Sequence, residues 1–449
     1  MGRLFGTDGV RGLANTELTC ELAMKIGRAA AMVLTEVTHK RPQIVIGKDT
    51  RISSDMLEAA LVAGICSVGA DAVLIGVVPT PAVAFLIKKY GADAGVMISA
   101  SHNPAEYNGI KVFNSDGYKL SDALEDKIEA IVLDKKEKPH LKVGAAVGRV
   151  IRQKDAVHDY VNHLTATVKG HYDGLRIAVD CANGSASATA PLLFSQLGVE
   201  CEIINARPDG ININANCGST NLSHLSSFVR ENACDMGVAF DGDADRCLAV
   251  DENGATIDGD KLIAILSNAM KQKDTLKNNT VVVTVLSNFG FFRFAEEYGI
   301  NVATTQVGDR YVLEEMLRGG YVLGGEQSGH IILTEHSTTG DGQLTAILLL
   351  SILKHSGKKA SQLAAIMDCY PQVMLNLKVT EQNKIKLDGD IEVDKAVKKA
   401  EDELGSEGRV IVRASGTEPL IRVMVEGKDK STIDRLAEDI AEVIRKRLD

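Results

Sequence analysis

At 449 residues, with 45% hydrophobic and 24% charged residues and 41 glycines against 9 prolines, the chain has globular composition at several times single-domain length, so several domains are expected. Its 50 Lys+Arg against 60 Asp+Glu give a formal charge of −10, with no dense basic block to track a phosphate backbone, which excludes nucleic acid as a partner. Eight cysteines fall singly, with no CxxC pair, and fit neither a disulfide framework nor a zinc site; they read as reduced, mostly buried thiols.

The opening MGRLFGTDGV has no apolar signal core, and Gly6 stands where a myristoylation signal wants Ser or Thr, so a cytosolic protein is expected. One pattern then recurs: an apolar β-branched run, a small-residue turn, an apolar-periodic helix, and Gly with a small residue entering another strand. The first copy is IVIGKDTR (Ile44 to Arg51), a helix from about Asp55, and Gly69-Ala70-Asp71 opening AVLIG. The second is LRIAVD (Leu175 to Asp180), a helix over Thr189 to Leu197, and Gly198-Val199-Glu200. The third is TVVVTV (Thr280 to Val285), a Phe-rich helix, and Gly299-Ile300-Asn301. Continuous apolar strands alternating with helices predict three α/β domains, each a parallel or mixed sheet covered on both faces. Between the first two copies the segment Asp134 to Gly148, with its KKEK run, reads as a solvated face. The most apolar run, Leu344 to Leu353, is far below the ~20 residues that span a bilayer and predicts a buried helix, so no membrane partner is expected. After Tyr370 the order changes to a strand LNLKVT, a charged helix from about Asp394 to Leu404, strands RVIVRA and LIRVMVEG, and a last helix from Ser431 to Leu448, which is an α+β domain.

Four segments hold residues fit for chemistry. VMISASHNP (Val96 to Pro104) ends an apolar strand in a turn, which places Ser101 on a loop tip. Ser101 is either an ST-turn residue or a nucleophilic or phosphorylated serine; His102 is a weak activator, since neighbours in an extended loop point opposite ways. In MGVAFDGDADR (Met236 to Arg246) a strand runs into Asp241, Asp243 and Asp245, whose mutual repulsion calls for a hard cation such as Mg²⁺, with Arg246 beside it for a phosphate ester. An EF-hand is excluded, because Arg246 sits where that loop needs Gly and a strand rather than a helix leads in. GGEQSGH (Gly324 to His330) sets Glu326, Ser328 and His330 among glycines, where sugar hydroxyls could be read or an ordinary loop formed. RASGTEPLIR (Arg413 to Arg422) surrounds a turn with Arg413, Ser415, Gly416 and Thr417, either a phosphate nest or a plain hairpin.

Together FGTDGVRG, ISASHNP, DGDADR, GEQSGH and RASGTEP, in that order, resemble the signature segments of the α-D-phosphohexomutase superfamily over nearly the whole chain. The resemblance implies four domains around a central cleft, at 1–152, 153–256, 257–368 and 369–449, three of one α/β topology and the last like a TATA-box-binding protein. It implies that Ser101 carries a phosphate and that one Mg²⁺ per chain is held by Asp241, Asp243, Asp245 and a phosphoserine oxygen. Arg11, Lys111 and Arg246 line the transfer site by the same likeness, with Lys111 and His330 as acid/base candidates. Glu326 and Ser328 then read the sugar, and Arg413, Ser415, Gly416, Thr417 and Arg422 hold the phosphate not being transferred. Whether Asp309 in VGDR touches the sugar is left open. The opening segment, the SASHNP form of the serine loop and Gln327 narrow the implied substrate to a small sugar phosphate, glucosamine 6-phosphate or 1-phosphate, with glucosamine 1,6-bisphosphate as intermediate and activator. The same chemistry on mannose or glucose phosphates, a Mg²⁺ phosphatase with Asp241 as nucleophile, and a metal-braced sugar-phosphate-binding protein are the alternatives. A homodimer is neither required nor excluded by the sequence.

Overall fold

The structure, a computed structural model, describes residues 3–6, 8–35, 41–134, 136–387, 389–415 and 419–448. Its strands form four sheets. The first holds β1 (Val10–Leu13), β2 (Gln43–Lys48), β3 (Asp71–Val77), β4 (Ala94–Ile98), β5 (Tyr107–Asn114) and β6 (Val150–Arg152) in the order β1-β5-β4-β2-β3-β6. The second holds β7 (Arg176–Asp180), β8 (Glu200–Ile204), β9 (Met236–Phe240), β10 (Cys247–Asp251) and β11 (Thr256–Ile257) in the order β11-β10-β9-β7-β8. The third holds β12 (Thr280–Thr284), β13 (Asn301–Thr305), β14 (Leu323–Gly325) and β15 (Ile331–Leu333) in the order β13-β12-β14-β15.

The three expected α/β sheets are therefore present, and each is mixed. Each has a parallel core, β3-β2-β4, β8-β7-β9 and β13-β12-β14, onto which one antiparallel strand, β5, β10 or β15, folds back. The core strands are apolar on both faces because helices cover both: Val281, Val282 and Val283 are all buried, as are Ile44, Val45 and Ile46. The repeated glycines Gly69, Gly198 and Gly299 lie at φ of 97°, 68° and 60°, the left-handed region that lets a chain leave a helix and enter a strand. The three return loops, 99–106, 241–246 and 326–330, are equivalent positions in the three sheets, at the carboxyl ends of β4, β9 and β14. Those are the SASHNP, DGDADR and GEQSGH segments, so one feature of the repeated fold gathers the candidate chemistry.

The fourth sheet is antiparallel, β16 (Gln372–Lys378), β17 (Gly408–Ala414) and β18 (Leu420–Gly427) in the order β16-β18-β17, with helices Ile391–Leu404 and Lys430–Leu448 supplying Val393, Ala400, Ile433, Leu436 and Ile440 to its core. This is the expected α+β domain. The chain divides into two compact units, 1–286 with 300–366, and 287–299 with 367–449. The second unit thus includes the Phe-rich helix, here Phe289–Glu297, which the repeat pattern assigned to the third α/β copy. Its amino end explains the difference. The Asn288 amide donates to Tyr370 O at 3.0 Å and Glu426 Oε1 at 3.2 Å, Phe289 packs edge-on to Tyr370, and the Arg409 guanidinium lies 4.9 Å above the Phe292 ring.

The apolar run near residue 344 lies in helix Gly342–Ser356, which is mostly buried, and no helix among the described residues is long and apolar enough to cross a membrane. None of the eight cysteines, all among the described residues, is in a disulfide; Cys66, Cys181, Cys217, Cys234 and Cys247 are buried and Cys369 is exposed.

Candidate active site

The serine loop differs from the loop tip expected of it. Ser101 is 1% exposed and sits at φ 51°, so the chain folds back instead of running extended. Its Oγ lies 3.3 Å from His102 Nδ1, closer than an extended loop allows. Arg51, from the end of β2, is the cause of this shape. Its guanidinium donates to Ser101 O at 3.0 Å, Asn103 O at 2.8 Å, Tyr107 O at 3.0 Å and Pro104 O, while Nε holds Asp49 at 2.8 Å. Asn214 adds donations to Ser101 O and Asn103 O at 2.9 and 3.1 Å. Asp49 in turn accepts from Ser99 Oγ at 2.7 Å, and Ser99 Oγ accepts from Ser101 N at 3.0 Å.

This loop presses on the acidic loop. A Cβ on Gly242 would lie 2.5 Å from Ser101 O, so only glycine lets the two backbones approach. Ser101 Oγ donates to Asp241 Oδ2 at 2.6 Å. Asp241, Asp243 and Asp245 are buried, with one carboxylate oxygen of each within 4.8 Å of the others. Lys111 Nζ donates to Asp243 Oδ2 at 2.8 Å and Asp245 Oδ2 at 3.2 Å, and Thr80 Oγ also donates to Asp243. The other oxygens, Asp243 Oδ1 and Asp245 Oδ1, are buried and accept no hydrogen bond. An all-oxygen set with two such atoms suits a hard divalent cation. The charge balance agrees: burial, then Asp245 and Asp243, push the Asp241 carboxyl up to about 8. Burial would also raise Asp245, but Lys111 and His330 hold it well below the usual range. Burial works against charge on Lys111, and Asp243, Asp245 and Asp8 outweigh it, so the ammonium keeps its proton. His102, half-buried and near Arg246 and Arg11, is lowered to about 4 and stays neutral.

The third loop approaches through an antiparallel bridge between Arg246 and His330. His330 Nδ1 is 3.7 Å from Asp245 Oδ1 and Nε2 is 3.6 Å from Asp309 Oδ2. Burial opposes a charged ring; Asp245 and Asp309 outweigh it and raise His330. The Gly340 N–H donates to Nε2 at 3.1 Å and opposes a second ring proton. Glu326 Oε1 accepts from Gly308 N at 3.1 Å, and burial raises the Glu326 carboxyl. Ser328, in the same turn, has a buried Oγ that makes no hydrogen bond. Arg11, on β1, donates to Asp8 Oδ2 at 2.9 Å and to Asn103 Oδ1 at 3.1 Å, which ties the opening segment to the serine loop.

The structure therefore brings Ser101, Arg11, Lys111, Asp241, Asp243, Asp245, Arg246, Glu326 and His330 into one charged network in the first unit. Arg413, Ser415 and Arg422 belong to the second. There Arg413 and Arg422 pair directly across β17 and β18, Ser415 is buried, and burial with the Arg422 charge lowers Arg413. Gly416 and Thr417 lie outside the described residues. Sequence reasoning passed over Asp49, Arg51, Thr80 and Asn214. Asp49 and Arg51 carried a readable signal, two opposite charges at the carboxyl end of an apolar strand; Thr80 and Asn214 carried none.

The fold and this network define a family. The family's sequence profiles, described as phosphoglucomutase/phosphomannomutase alpha/beta/alpha domains I, II and III and C-terminal domain, match residues 2–139, 158–254, 258–370 and 374–443. The chain belongs to the phosphoglucomutase/phosphomannomutase family. Among individual proteins it is 57% identical over 448 residues to the phosphoglucosamine mutase of Acetivibrio thermocellus and 56% identical over 448 residues to that of Ruminiclostridium cellulolyticum, covering 100% of both chains in each case. A crystal structure of a phosphoglucomutase/phosphomannomutase family protein from Burkholderia thailandensis shares the fold, with a TM-score of 0.84 at 23% identity, over 99% of this chain and 97% of that one.

Proposed function

We propose that this chain interconverts glucosamine 6-phosphate and glucosamine 1-phosphate through a phosphorylated Ser101. The observation that carries the chemistry is the Ser101 hydroxyl donating to Asp241 within the buried acidic cluster. The sugar follows from the full-length identity to phosphoglucosamine mutases. In the first half-reaction the free hydroxyl of the sugar phosphate attacks the phosphorus on Ser101. A bond forms between sugar oxygen and phosphorus, the Oγ–phosphorus bond breaks, and the hydroxyl proton passes to a base. The product, glucosamine 1,6-bisphosphate, turns end for end and returns its other phosphate to Ser101.

Phosphoryl transfer asks mainly for positioning and charge neutralisation. Asp241, Asp243, Asp245 and an oxygen on Ser101 are the groups that would hold one Mg²⁺, which when bound neutralises charge on the transferred group. Lys111, kept protonated by its carboxylates, and Arg246 and Arg11 hold the phosphoryl oxygens; Lys111 is the candidate acid, and His330, whose Nε2 accepts a hydrogen bond, is the candidate base for the hydroxyl proton. Glu326 and Ser328 read the sugar; their carboxylate and unpartnered hydroxyl suit its hydroxyls and amine. Arg413, Ser415, Gly416, Thr417 and Arg422 take the phosphate that is not transferred, where two adjacent guanidinium groups favour a dianion. The working partition is 1–152, 153–256, 257–368 and 369–449, and the enzyme acts on a small molecule in the cytoplasm. Comparing kcat/KM for glucosamine, glucose and mannose 6-phosphates tests this reading. Preference for glucosamine by at least tenfold is expected; equal or better use of glucose or mannose assigns the site to those sugars instead.

A further inference from the structure

Six side chains in the first unit close a ring in which carboxylates alternate with basic groups. Asp8 Oδ2 is 2.9 Å from Lys111 Nζ, Lys111 Nζ is 3.2 Å from Asp245 Oδ2, and Asp245 Oδ1 faces His330 Nδ1 at 3.7 Å. His330 Nε2 faces Asp309 Oδ2 at 3.6 Å, and Lys119 Nζ closes the ring 2.5 Å from both Asp309 Oδ2 and Asp8 Oδ1. The two acid/base candidates thus flank Asp245 in this ring, and each also faces a carboxylate that Lys119 grips. Lys119 itself touches neither of them directly by any of these contacts.

We propose that Lys119 is a positioning residue for the transfer reaction: its single ammonium fixes Asp8 and Asp309, and through them the Lys111 ammonium and the His330 ring. The inference rests on the mutase reading only for what the ring serves. Lys119 neutralises two carboxylates that would otherwise repel, so without it Asp8 and Asp309 move apart and the groups leaning on them lose their fixed places. Lys119 follows β5, and a bridge to Phe113 fixes its backbone beside the strand that carries Lys111. Simple attachment of this segment to the third sheet does not need Lys119. Arg310 already reaches Asp122 and lies 4.0 Å from Glu125, and Thr338 Oγ donates to Gly117 O at 2.6 Å. The adjacent Arg310 is therefore a built-in control, an ion-pair link between the same two segments that stands outside the ring.

Three variants test the proposal in the full-length enzyme: Lys119→Met, Asp309→Asn and Arg310→Met. Lys119→Met is expected to lower kcat about 100-fold with KM within about threefold of wild type, the size of loss a displaced catalytic group brings. Asp309→Asn, which keeps the shape of the site, is expected to lower kcat about tenfold, and it decides the matter if Lys119→Met does not fold. Arg310→Met should keep kcat within about threefold. Ring ¹⁵N shifts of His330, assigned by their loss in His330→Gln, need no substrate and separate this inference from the choice of sugar; they are expected to move in Lys119→Met and not in Arg310→Met. The proposal is overturned by an unmoved His330 signal, by a change in KM in place of kcat, or by Arg310→Met losing as much kcat as Lys119→Met.

Discussion

Arg51→Met is the perturbation whose consequence follows most directly from the structure. The guanidinium is completely buried, neutralises Asp49, and donates to four backbone carbonyls of the serine loop. Methionine fills the space but leaves Asp49 as a buried charge without its cation. Breaking a buried pair by removing one partner costs about 3–5 kcal/mol. Asp49 would keep the hydroxyls of Ser54 and Ser99, Asn214 would still serve Ser101 O and Asn103 O, and Pro104 O would still accept from Tyr107 N–H at 3.2 Å, so Tyr107 O is the carbonyl that loses most. That partial compensation holds the total near 4 kcal/mol, about 10 °C in melting temperature for a domain of this size. Arg51 and Asn214 together impose the left-handed turn at Ser101, and removing the guanidinium takes away the larger part of that support, so phosphoryl transfer should fall by about 100-fold as well. Differential scanning calorimetry and single-turnover transfer from phosphorylated enzyme measure the two effects. A variant that melts within 2 °C of wild type and transfers at the same rate would refute the view that Arg51 shapes the loop.

Three further outcomes are expected. Gly242→Ala puts a methyl 2.5 Å from Ser101 O, so the serine loop must shift and kcat should drop by about 100-fold while the protein stays folded; steady-state rates and a melting curve check this. Cation binding should release close to one proton per chain at pH 7, because Asp241, raised to about 8, is protonated below that pH and must ionise to ligate; titration calorimetry with Mg²⁺ in buffers of different ionisation enthalpy reads it, and a buffer-independent heat would contradict it. Arg413→Ala should raise KM for the sugar phosphate by roughly 10–150-fold, the value of a charge-assisted contact of about 1.5–3 kcal/mol, with added bisphosphate partly restoring flux; an unchanged KM would make RASGTEP a plain hairpin.

What the sequence disclosed was set by range. The acidic triad, the serine turn and the GEQSGH turn stood out because each breaks an apolar strand with polar residues a few positions apart, and periodicity placed the strands behind them. That all three occupy the same return loop of a repeated sheet was not legible, because the copies traced in the sequence end before β4, β9 and β14, the strands that lead into these loops. Nor was the shape of the serine loop, because Ser101 owes its left-handed turn to Arg51, 50 residues earlier, and to Asn214, 113 residues later, and no local pattern records such contacts. The helix Phe289–Glu297 keeps its expected place between β12 and β13 of the third copy, and only its long-range partners were unreadable, for a related reason. Its periodicity specifies an amphipathic helix but not which unit receives its partners, and Asn288 settles that through Tyr370 and Glu426. Lys119 carried no signal in the sequence, since Asp8 and Asp309 converge on it from two other segments.

The most direct test of the account follows the phosphate itself. Enzyme carrying ³²P on Ser101 is mixed with unlabelled glucosamine 6-phosphate in a single turnover, and the label is located in protein, sugar and free phosphate. The account predicts that acid-stable label leaves Ser101 and appears in glucosamine 1,6-bisphosphate and then in glucosamine phosphate. Label found on Asp241 as a hydroxylamine-labile acyl phosphate, or released chiefly as inorganic phosphate, would contradict it.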